Sequence, residues 1–258
     1  MRFPSTPCFD FSGTISDTGT DVTGWAIGDH VFGMLPINRL GAAADYVVVD
    51  TEHVCKIPEE LDFEPMAGLP LAGMTALQAL RDQGQLKRGQ KLLVIGAAGG
   101  VGHYAVQIGR RMGASVTALC GPKNMTFCRE LGADKVMDYT QENQALVRRD
   151  FDVILDCSGR LPFSRWQPLL VRDGCYVTLL PSLSLGLAAL QRKLFSRQRI
   201  RFTLVRAHPG DLTWLANEAV AGHLKTMIDE VFPLENLSDA LKKSLAGHAR
   251  GKIILSIS

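Results

Sequence analysis

A glycine-rich loop is the part of this sequence best suited to chemistry. The apolar residues 92–95 lead into residues 96–102 (GAAGGVG), and a helix-like pattern follows. Glycines let the backbone approach a phosphate, and the free N–H groups of a first helical turn point at the anion. Ala97 replaces the first glycine of a GxGxxG pattern, while Gly99 and Gly102 hold the other two. This order of strand, turn and helix predicts a dinucleotide site rather than an ordinary tight turn.

The segment after the next apolar run bears on which dinucleotide is bound. NAD sites usually place Asp or Glu there to accept a hydrogen bond from the ribose 2′-hydroxyl. Residues 119–124 (LCGPKN) contain no carboxylate, and Lys123 is close by. A cation without an acidic neighbour favours a 2′-phosphate. The sequence therefore predicts NADP(H), the alternative being that Lys123 is simply a solvated residue.

The cysteines and histidines do not have the spacing of a metal site. Six cysteines are scattered singly and six histidines are dispersed, so no CxxC pair or zinc-ligand pattern is present. Cys8 and Asp10 are interpreted as an incidental pair, and no metal is expected. Isolated cysteines without a signal sequence are typical of a reducing compartment, so we expect a cytoplasmic protein.

Composition excludes several other classes. The 258 residues are 46% hydrophobic and 21% charged, with a net charge of +2, which gives no case for a nucleic-acid partner. No apolar run is long enough for a membrane span. The basic residues 191–201 are interpreted as a solvated helix entering a strand, rather than as a surface for membranes or nucleic acid.

The loop requires a particular set of elements to hold it. Continuous apolar runs, unlike alternating ones, indicate strands buried on both faces, as in a parallel sheet covered by helices. Such runs alternate with helix-length segments, which predicts a doubly wound α/β sheet. The predicted strands are residues 92–95, 115–119, 135–137, 151–155, 175–179 and 200–205.

Composition and secondary-structure pattern divide the chain into three regions. Residues 1–73 are rich in Gly, Pro and Asp with β-branched runs such as residues 46–49, which indicates a small β domain. Residues 74–207 form the predicted dinucleotide-binding domain. Residues 208–258 contain two helix patterns and a closing strand, expected to return to the β domain and pair with it.

Several motifs stand in order along nearly all of the chain: residues 9–15 (FDFSGTI), 28–33 (GDHVFG), 44–49 (ADYVVV), 69–76 (LPLAGMTA), 97–102 (AAGGVG), 131–134 (LGAD) with 138–139 (DY), 151–156 (FDVILD) and 250–254 (RGKII). Together they resemble the zinc-independent, quinone-oxidoreductase-like branch of the medium-chain dehydrogenase/reductases.

The resemblance implies a Rossmann domain, a GroES-like β domain and metal-free hydride transfer from NADPH to a quinone or an activated enone or carbonyl compound. Metal-dependent relatives carry Gly-His-Glu where this chain has Cys8, Phe9 and Asp10, and Phe9 cannot ligate. The resemblance also implies a homodimer.

The resemblance further implies which residues would meet the cofactor. Tyr139 has an alternative role as a packing residue at a strand end. The implied residues are Ala98, Gly99, Gly100 and Val101 at the pyrophosphate, Cys120, Lys123 and Tyr139 at the adenosine 2′-phosphate, and Thr75, Cys157, Ser158, Gly159, Leu179 and Pro181 along the nicotinamide half.

The first residues of the chain correspond to positions several dozen residues into the sequences of family members. We therefore expect the GroES-like domain to be incomplete at its N-terminus. An internal gene start, a fragment and a shortened form are the alternatives. The sequence assigns no catalytic acid or base, because the cofactor supplies the chemistry. Two other functions stay open: an NADP-linked alcohol dehydrogenase, and a non-catalytic NADPH-binding module.

Overall fold

The computed structural model describes residues 6–141, 149–182, 185–186, 189, 196–247 and 249–257. It divides into two compact units: a first unit, Met1–Met74 with Val205–Ser258, and a second unit, Thr75–Leu204. The elements are β1 (Asp10–Thr14), β2 (His30–Met34), β3 (Val54–Lys56), α1 (Phe63–Ala67), α2 (Pro70–Gln78), β4 (Lys91–Ile95), α3 (Gly102–Arg111), β5 (Ser115–Cys120), α4 (Met125–Glu130), β6 (Lys135–Asp138), β7 (Phe151–Asp156), α5 (Phe163–Trp166), β8 (Leu170–Thr178), β9 (Arg199–Phe202), α6 (Pro209–Val220), β10 (Ile228–Pro233), α7 (Leu237–Ala246) and β11 (Lys252–Ser256).

The second unit is built on a parallel sheet. Its strands lie in the order β6-β5-β4-β7-β8-β9, and each neighbouring pair is parallel. The chain first adds β5 and β6 on one side of β4 and then adds β7, β8 and β9 on the other. The predicted doubly wound sheet is therefore confirmed, and its direction of winding reverses between β4 and β7. Ligands of such sheets bind at the carboxyl ends of the strands at this reversal.

Burial explains why these runs form central strands. Leu92, Leu93 and Val94 of β4 are fully buried, as continuous apolar strands in a covered sheet should be. One face packs into a cluster that includes Leu93, Ile154 and Tyr176. The sheet is thereby held rigid beneath the loops that follow its strands.

Two strand boundaries differ from those predicted. β8 begins at Leu170 rather than at residue 175, because the polar residues Arg172 and Asp173 continue the strand while remaining exposed. β9 ends at Phe202 rather than at residue 205. The basic run 191–201 lies partly outside the described residues, and its last residues begin β9.

The first unit contains two small sheets. Antiparallel strands lie in the order β1-β2-β3, and β10 pairs with β11, which confirms the small β region in the first unit. The predicted pairing of the closing strand with the N-terminal β domain is wrong. β11 instead lies parallel to β10, a strand that the sequence analysis missed because its apolar residues are interrupted by acidic ones.

An open groove of about 1320 Å³ lies within the first unit, along β1 and β11. Residues 46–49, which read as strand-like, lie beside it outside any strand, with Tyr46 and Val48 each 77% exposed. In the lining of the groove, Asp10 accepts a 2.8 Å hydrogen bond from the Leu71 N–H, and the Lys252 ammonium lies 3.3 Å from its other oxygen. Asp10 therefore ties β1 to α2 and β11.

Candidate cofactor site

The glycine loop follows β4 and opens α3, next to the point where the sheet reverses direction. α3 begins at Gly102, and a side-chain carbon at this position would overlap the carbonyl oxygen of Gly96. Glycine is therefore required here by the close approach of two backbone segments. By contrast, a side-chain carbon on Gly99 would sit 3.4 Å from the same oxygen. The glycines at 99, 100 and 102 thus leave backbone uncovered at three positions of the loop, as a phosphate cradle needs.

Backbone hydrogen bonds fix the loop to the neighbouring strands. The Gly96 N–H donates to the Leu119 carbonyl at 3.0 Å, at the end of β5. The Cys157 N–H donates to the Ile95 carbonyl at 3.0 Å, which brings the loop after β7 alongside. A side-chain carbon on Gly96 would lie 3.4 Å from Cβ of Ser158. The ends of β5, β4 and β7 therefore form one continuous edge.

The end of β5 and the end of β6 form the region expected to hold the adenosine. Lys123 is exposed in the short turn Pro122–Asn124. The Tyr139 N–H donates to the Cys120 carbonyl at 3.1 Å, and its hydroxyl would lie 3.1 Å from a side-chain carbon on Gly121. Tyr139 is 56% exposed. Its ring therefore covers Gly121 rather than packing into the core.

Two further charged groups stand near Cys120. A hydrogen bond with Cys128 is the main reason that the pKa of Cys120 lies below its ordinary value, and the Arg129 charge contributes, whereas burial and Asp138 oppose the shift. Asp138 is buried, and its carboxylate accepts from the N–H and hydroxyl of Thr140 at 2.9 and 2.8 Å. This carboxylate thus turns back on its own chain, and Arg129 is a further cation near Cys120.

The loop after β7 is held by a buried carboxylate. Asp156 is fully buried, and one of its oxygens accepts from the N–H groups of Ser158 and Gly159, each at 2.9 Å. Its other oxygen accepts from the Tyr176 hydroxyl at 2.8 Å. Burial, with Asp156 beside it, raises the pKa of the Cys157 thiol. Cys157 is therefore a neutral thiol at physiological pH and is unsuited to act as a nucleophile.

The ends of β8 and β9 complete the edge. The Leu179 N–H donates to the Asp156 carbonyl at 3.4 Å, and the Thr203 N–H donates to the Thr178 carbonyl at 3.1 Å. Thr203 is only 8% exposed, yet its hydroxyl has no hydrogen-bond partner among the described residues. Buried hydroxyls are normally paired, so this group has a hydrogen-bonding capacity that the described residues leave unused.

The structure brings most of the predicted residues to this edge. Thr75 is the exception, because it lies buried in helix α2 rather than after a strand. The residues that follow strands β4 to β8 are Ala98, Gly99, Gly100, Val101, Cys120, Lys123, Tyr139, Cys157, Ser158, Gly159, Leu179 and Pro181.

Sequence reasoning missed four residues that shape the site: Asp138, Asp156, Tyr176 and Thr203. Asp156 carries a signal that could have revealed it, since a carboxylate ending an apolar strand must find partners. Tyr176 and Thr203 carry no such signal, because their importance depends on neighbours that the fold supplies.

Among the described residues, no cluster of three or more His, Cys, Asp or Glu side chains could hold a metal ion. Of the two residues considered above, Asp10 is already paired with Lys252, and burial raises the pKa of Cys8.

Comparison with known families matches both parts of the chain. Residues 1–59 match the alcohol dehydrogenase GroES-like domain, and residues 131–255 match a family described as zinc-binding dehydrogenase. That description belongs to the family as a whole.

Relatives extend along nearly all of the chain. It is 36% identical to the chloroplast envelope quinone oxidoreductase homolog of Arabidopsis thaliana, over 98% of this chain and 80% of that protein. It is 32% identical to the mitochondrial NAD(P)H oxidoreductase RTN4IP1 of Mus musculus, over 99% of this chain and 71% of that protein. The structure of the quinone oxidoreductase from Coxiella burnetii superposes with a TM-score of 0.91 at 30% identity, over 99% of this chain and 80% of the other.

The fold and the edge of strand ends that carries the glycine loop thus define a two-unit NAD(P)H-dependent oxidoreductase. The chain belongs to the medium-chain dehydrogenase/reductase superfamily, in its quinone-oxidoreductase-like branch. Across the described residues, no helix is long and apolar enough to cross a membrane.

Proposed function

We propose that this protein is an NADPH-dependent reductase that passes a hydride to a quinone or to an activated enone or carbonyl compound, without a metal. The observation that carries the proposal is the glycine-rich loop at residues 96–102, at the reversal point of the sheet, beside a strand end that carries Lys123 instead of a carboxylate. The quinone oxidoreductase names of two relatives support the substrate class.

The preference for NADPH over NADH rests on charge. Lys123 and Arg129 stand at the adenosine end, and the nearby Asp138 carboxylate is occupied by Thr140. Two cations stabilise a 2′-phosphate, whereas a carboxylate facing the ribose would repel it. NADPH is therefore the proposed cofactor.

Each segment of the edge then has a role in holding the cofactor. The backbone of residues 98–101 would cradle the pyrophosphate, Cys120, Lys123 and Tyr139 would surround the 2′-phosphate, and residues 157–159 with 179–181 would line the nicotinamide half. The Thr203 hydroxyl would pair with the carboxamide. Thr75 remains proposed as a residue of the nicotinamide half. When bound, the cofactor supplies the hydride.

No side chain is proposed as a catalytic acid, because a reduced quinone can take its protons from water.

We propose residues 1–73 and 208–258 as the substrate domain and residues 74–207 as the cofactor domain. A cytoplasmic homodimer is also proposed: the six cysteines are unpaired, as expected in a reducing compartment. Subcellular fractionation and sedimentation test these two statements.

The experiment is a paired assay on purified protein. NADPH oxidation is followed with a panel of quinones and enones, and NADP⁺ reduction is followed with primary and secondary alcohols. The proposal expects turnover of quinones or enones with NADPH and without added metal, unchanged by a chelator. Turnover of alcohols alone would favour the alcohol dehydrogenase alternative. Nucleotide binding without any turnover would favour the non-catalytic module.

A further inference from the structure

A buried carboxylate organises the loop between β7 and α5. Asp156 receives three hydrogen bonds at one oxygen, from the N–H groups of Ser158 and Gly159 at 2.9 Å and from the Ser158 hydroxyl at 3.0 Å. Its second oxygen receives the Tyr176 hydroxyl at 2.8 Å, from the neighbouring strand β8. A desolvated carboxylate is stable only when its oxygens are satisfied in this way.

We propose that Asp156 and Tyr176 form a positioning pair, which fixes residues 157–159 against the glycine loop and so sets cofactor affinity through a hydroxyl that does not itself face the cofactor. This inference rests on the proposed function. Tyr176 is a positioning residue, not a catalytic one.

Tyr176 is well suited to be a permanent donor. Its side chain is 1% exposed, and the Phe163 ring packs edge-on against it with centroids 4.9 Å apart. Burial and the adjacent Asp156 raise the pKa of Tyr176. The hydroxyl therefore keeps its proton and its direction at any physiological pH.

The loop that this pair holds is constrained on its other sides as well. Gly159 has φ of +57°, a left-handed conformation that favours glycine. The Leu180 side chain fills the space that a Gly159 side chain would need, with its Cδ1 atom 2.6 Å from that position. On the opposite side Ser158 lies against Gly96 of the glycine loop. A shift of the Asp156 carboxylate would therefore move the wall of the cofactor site.

The test compares two substitutions that each remove one buried hydroxyl from the second unit. Tyr176→Phe removes the bond to Asp156, whereas Thr117→Val removes the hydroxyl of a buried threonine in the middle of β5 and serves as the control for stability. We expect Tyr176→Phe to raise the Kd for NADPH about three- to tenfold, which is less than the direct loss of a hydrogen bond to a charged group costs, because the hydroxyl acts on the cofactor only through the loop. The turnover number at saturating NADPH should stay within about twofold, and Thr117→Val should leave the Kd unchanged.

Amide hydrogen exchange without cofactor gives an independent readout. The Ser158 and Gly159 amides should exchange at least several-fold faster in Tyr176→Phe, while the amides of β4 keep their protection. A double-mutant cycle on NADPH affinity with Ser158→Ala should be non-additive, because both hydroxyls act through Asp156.

Unchanged exchange at both amides, or an unchanged Kd for NADPH, would overturn the positioning role. Faster amide exchange of Tyr176→Phe throughout the second unit would show that Tyr176 has a structural role alone. Failure of the wild-type protein to bind either nucleotide would instead contradict the proposed function, and the exchange measurement would still decide whether the pair fixes the loop.

Discussion

Gly102 lies so close to the carbonyl oxygen of Gly96 that any side chain at position 102 would overlap it. This contact lets the first turn of α3 close directly over the end of β4. Because the first N–H groups of a helix attract anions, the contact sets the place where a pyrophosphate can bind.

The first prediction follows from this contact. Gly102→Ala should weaken nucleotide binding by at least about tenfold and lower the melting temperature, because overpacking of this kind typically costs 1–3 kcal/mol. Gly99→Ala is the matched control for stability, since its added carbon would sit 3.4 Å from the same oxygen. Thermal denaturation of both variants and nucleotide titration of Gly102→Ala check this. Equal melting temperatures for the two would contradict it.

The second prediction concerns cofactor choice. Lys123→Glu should weaken NADPH binding by at least about tenfold, since it removes a charge-assisted bond and adds a repulsion, and it should leave NADH affinity within about twofold. Lys135→Glu makes the same change at the exposed start of β6 and serves as control. Fluorescence titrations with both nucleotides decide the matter; a parallel loss for NADPH and NADH would remove Lys123 from the 2′-phosphate site.

The third prediction concerns the unpaired hydroxyl. Thr203→Val keeps the shape of the side chain and removes a buried polar group without a partner among the described residues. Its melting temperature should therefore equal or exceed that of the wild type. Affinity should fall about threefold for both NADPH and NADH, because the carboxamide is common to both. A lower melting temperature with unchanged affinities would show that Thr203 acts in the fold alone.

The fourth prediction concerns pH and the first unit. Burial is the largest cause of the raised pKa of Asp10, against its ordinary 3.8, with Lys252 and the Leu71 N–H opposing it. Between the ordinary pKa of Asp10 and its raised pKa in the folded chain, the folded chain binds more protons at this residue than the unfolded chain does. This residue's contribution to stability is therefore fully present below about pH 4 and is lost as the pH rises through the folded-state pKa.

Asp10→Asn should remove that part of the pH dependence, so that the unfolding free energy of the variant falls less steeply as the pH rises above about 4. Asp45→Asn, at an exposed carboxylate of the same unit, controls for the substitution itself. Urea denaturation at several pH values measures the slopes. Identical slopes for Asp10→Asn and wild type would contradict the expected shift.

The parallel sheet could be predicted from sequence because its central strands are uninterrupted apolar runs, and β4 to β7 fall where the pattern indicates. β10 could not, because a strand in a two-stranded sheet needs no continuous apolar face and Asp229 and Glu230 interrupt it. The start of β8 was hidden for the same reason by Arg172 and Asp173.

The candidate site divides in a similar way. The glycine loop and Lys123 can be recognised locally, since their chemistry depends on adjacent residues. The hydrogen bond between Asp156 and Tyr176 joins residues 20 positions apart on neighbouring strands. Whether the buried Thr203 hydroxyl finds a hydrogen-bond partner depends on every side chain around it. Such relationships arise only from the folded sheet.

The measurement that tests the central claim most directly is a calorimetric titration of the wild-type protein with NADPH and with NADH. We predict saturable binding of NADPH with a lower Kd than that of NADH, and we expect Lys123→Glu to abolish this difference in affinity. Absence of binding by either nucleotide to correctly folded protein would contradict this prediction.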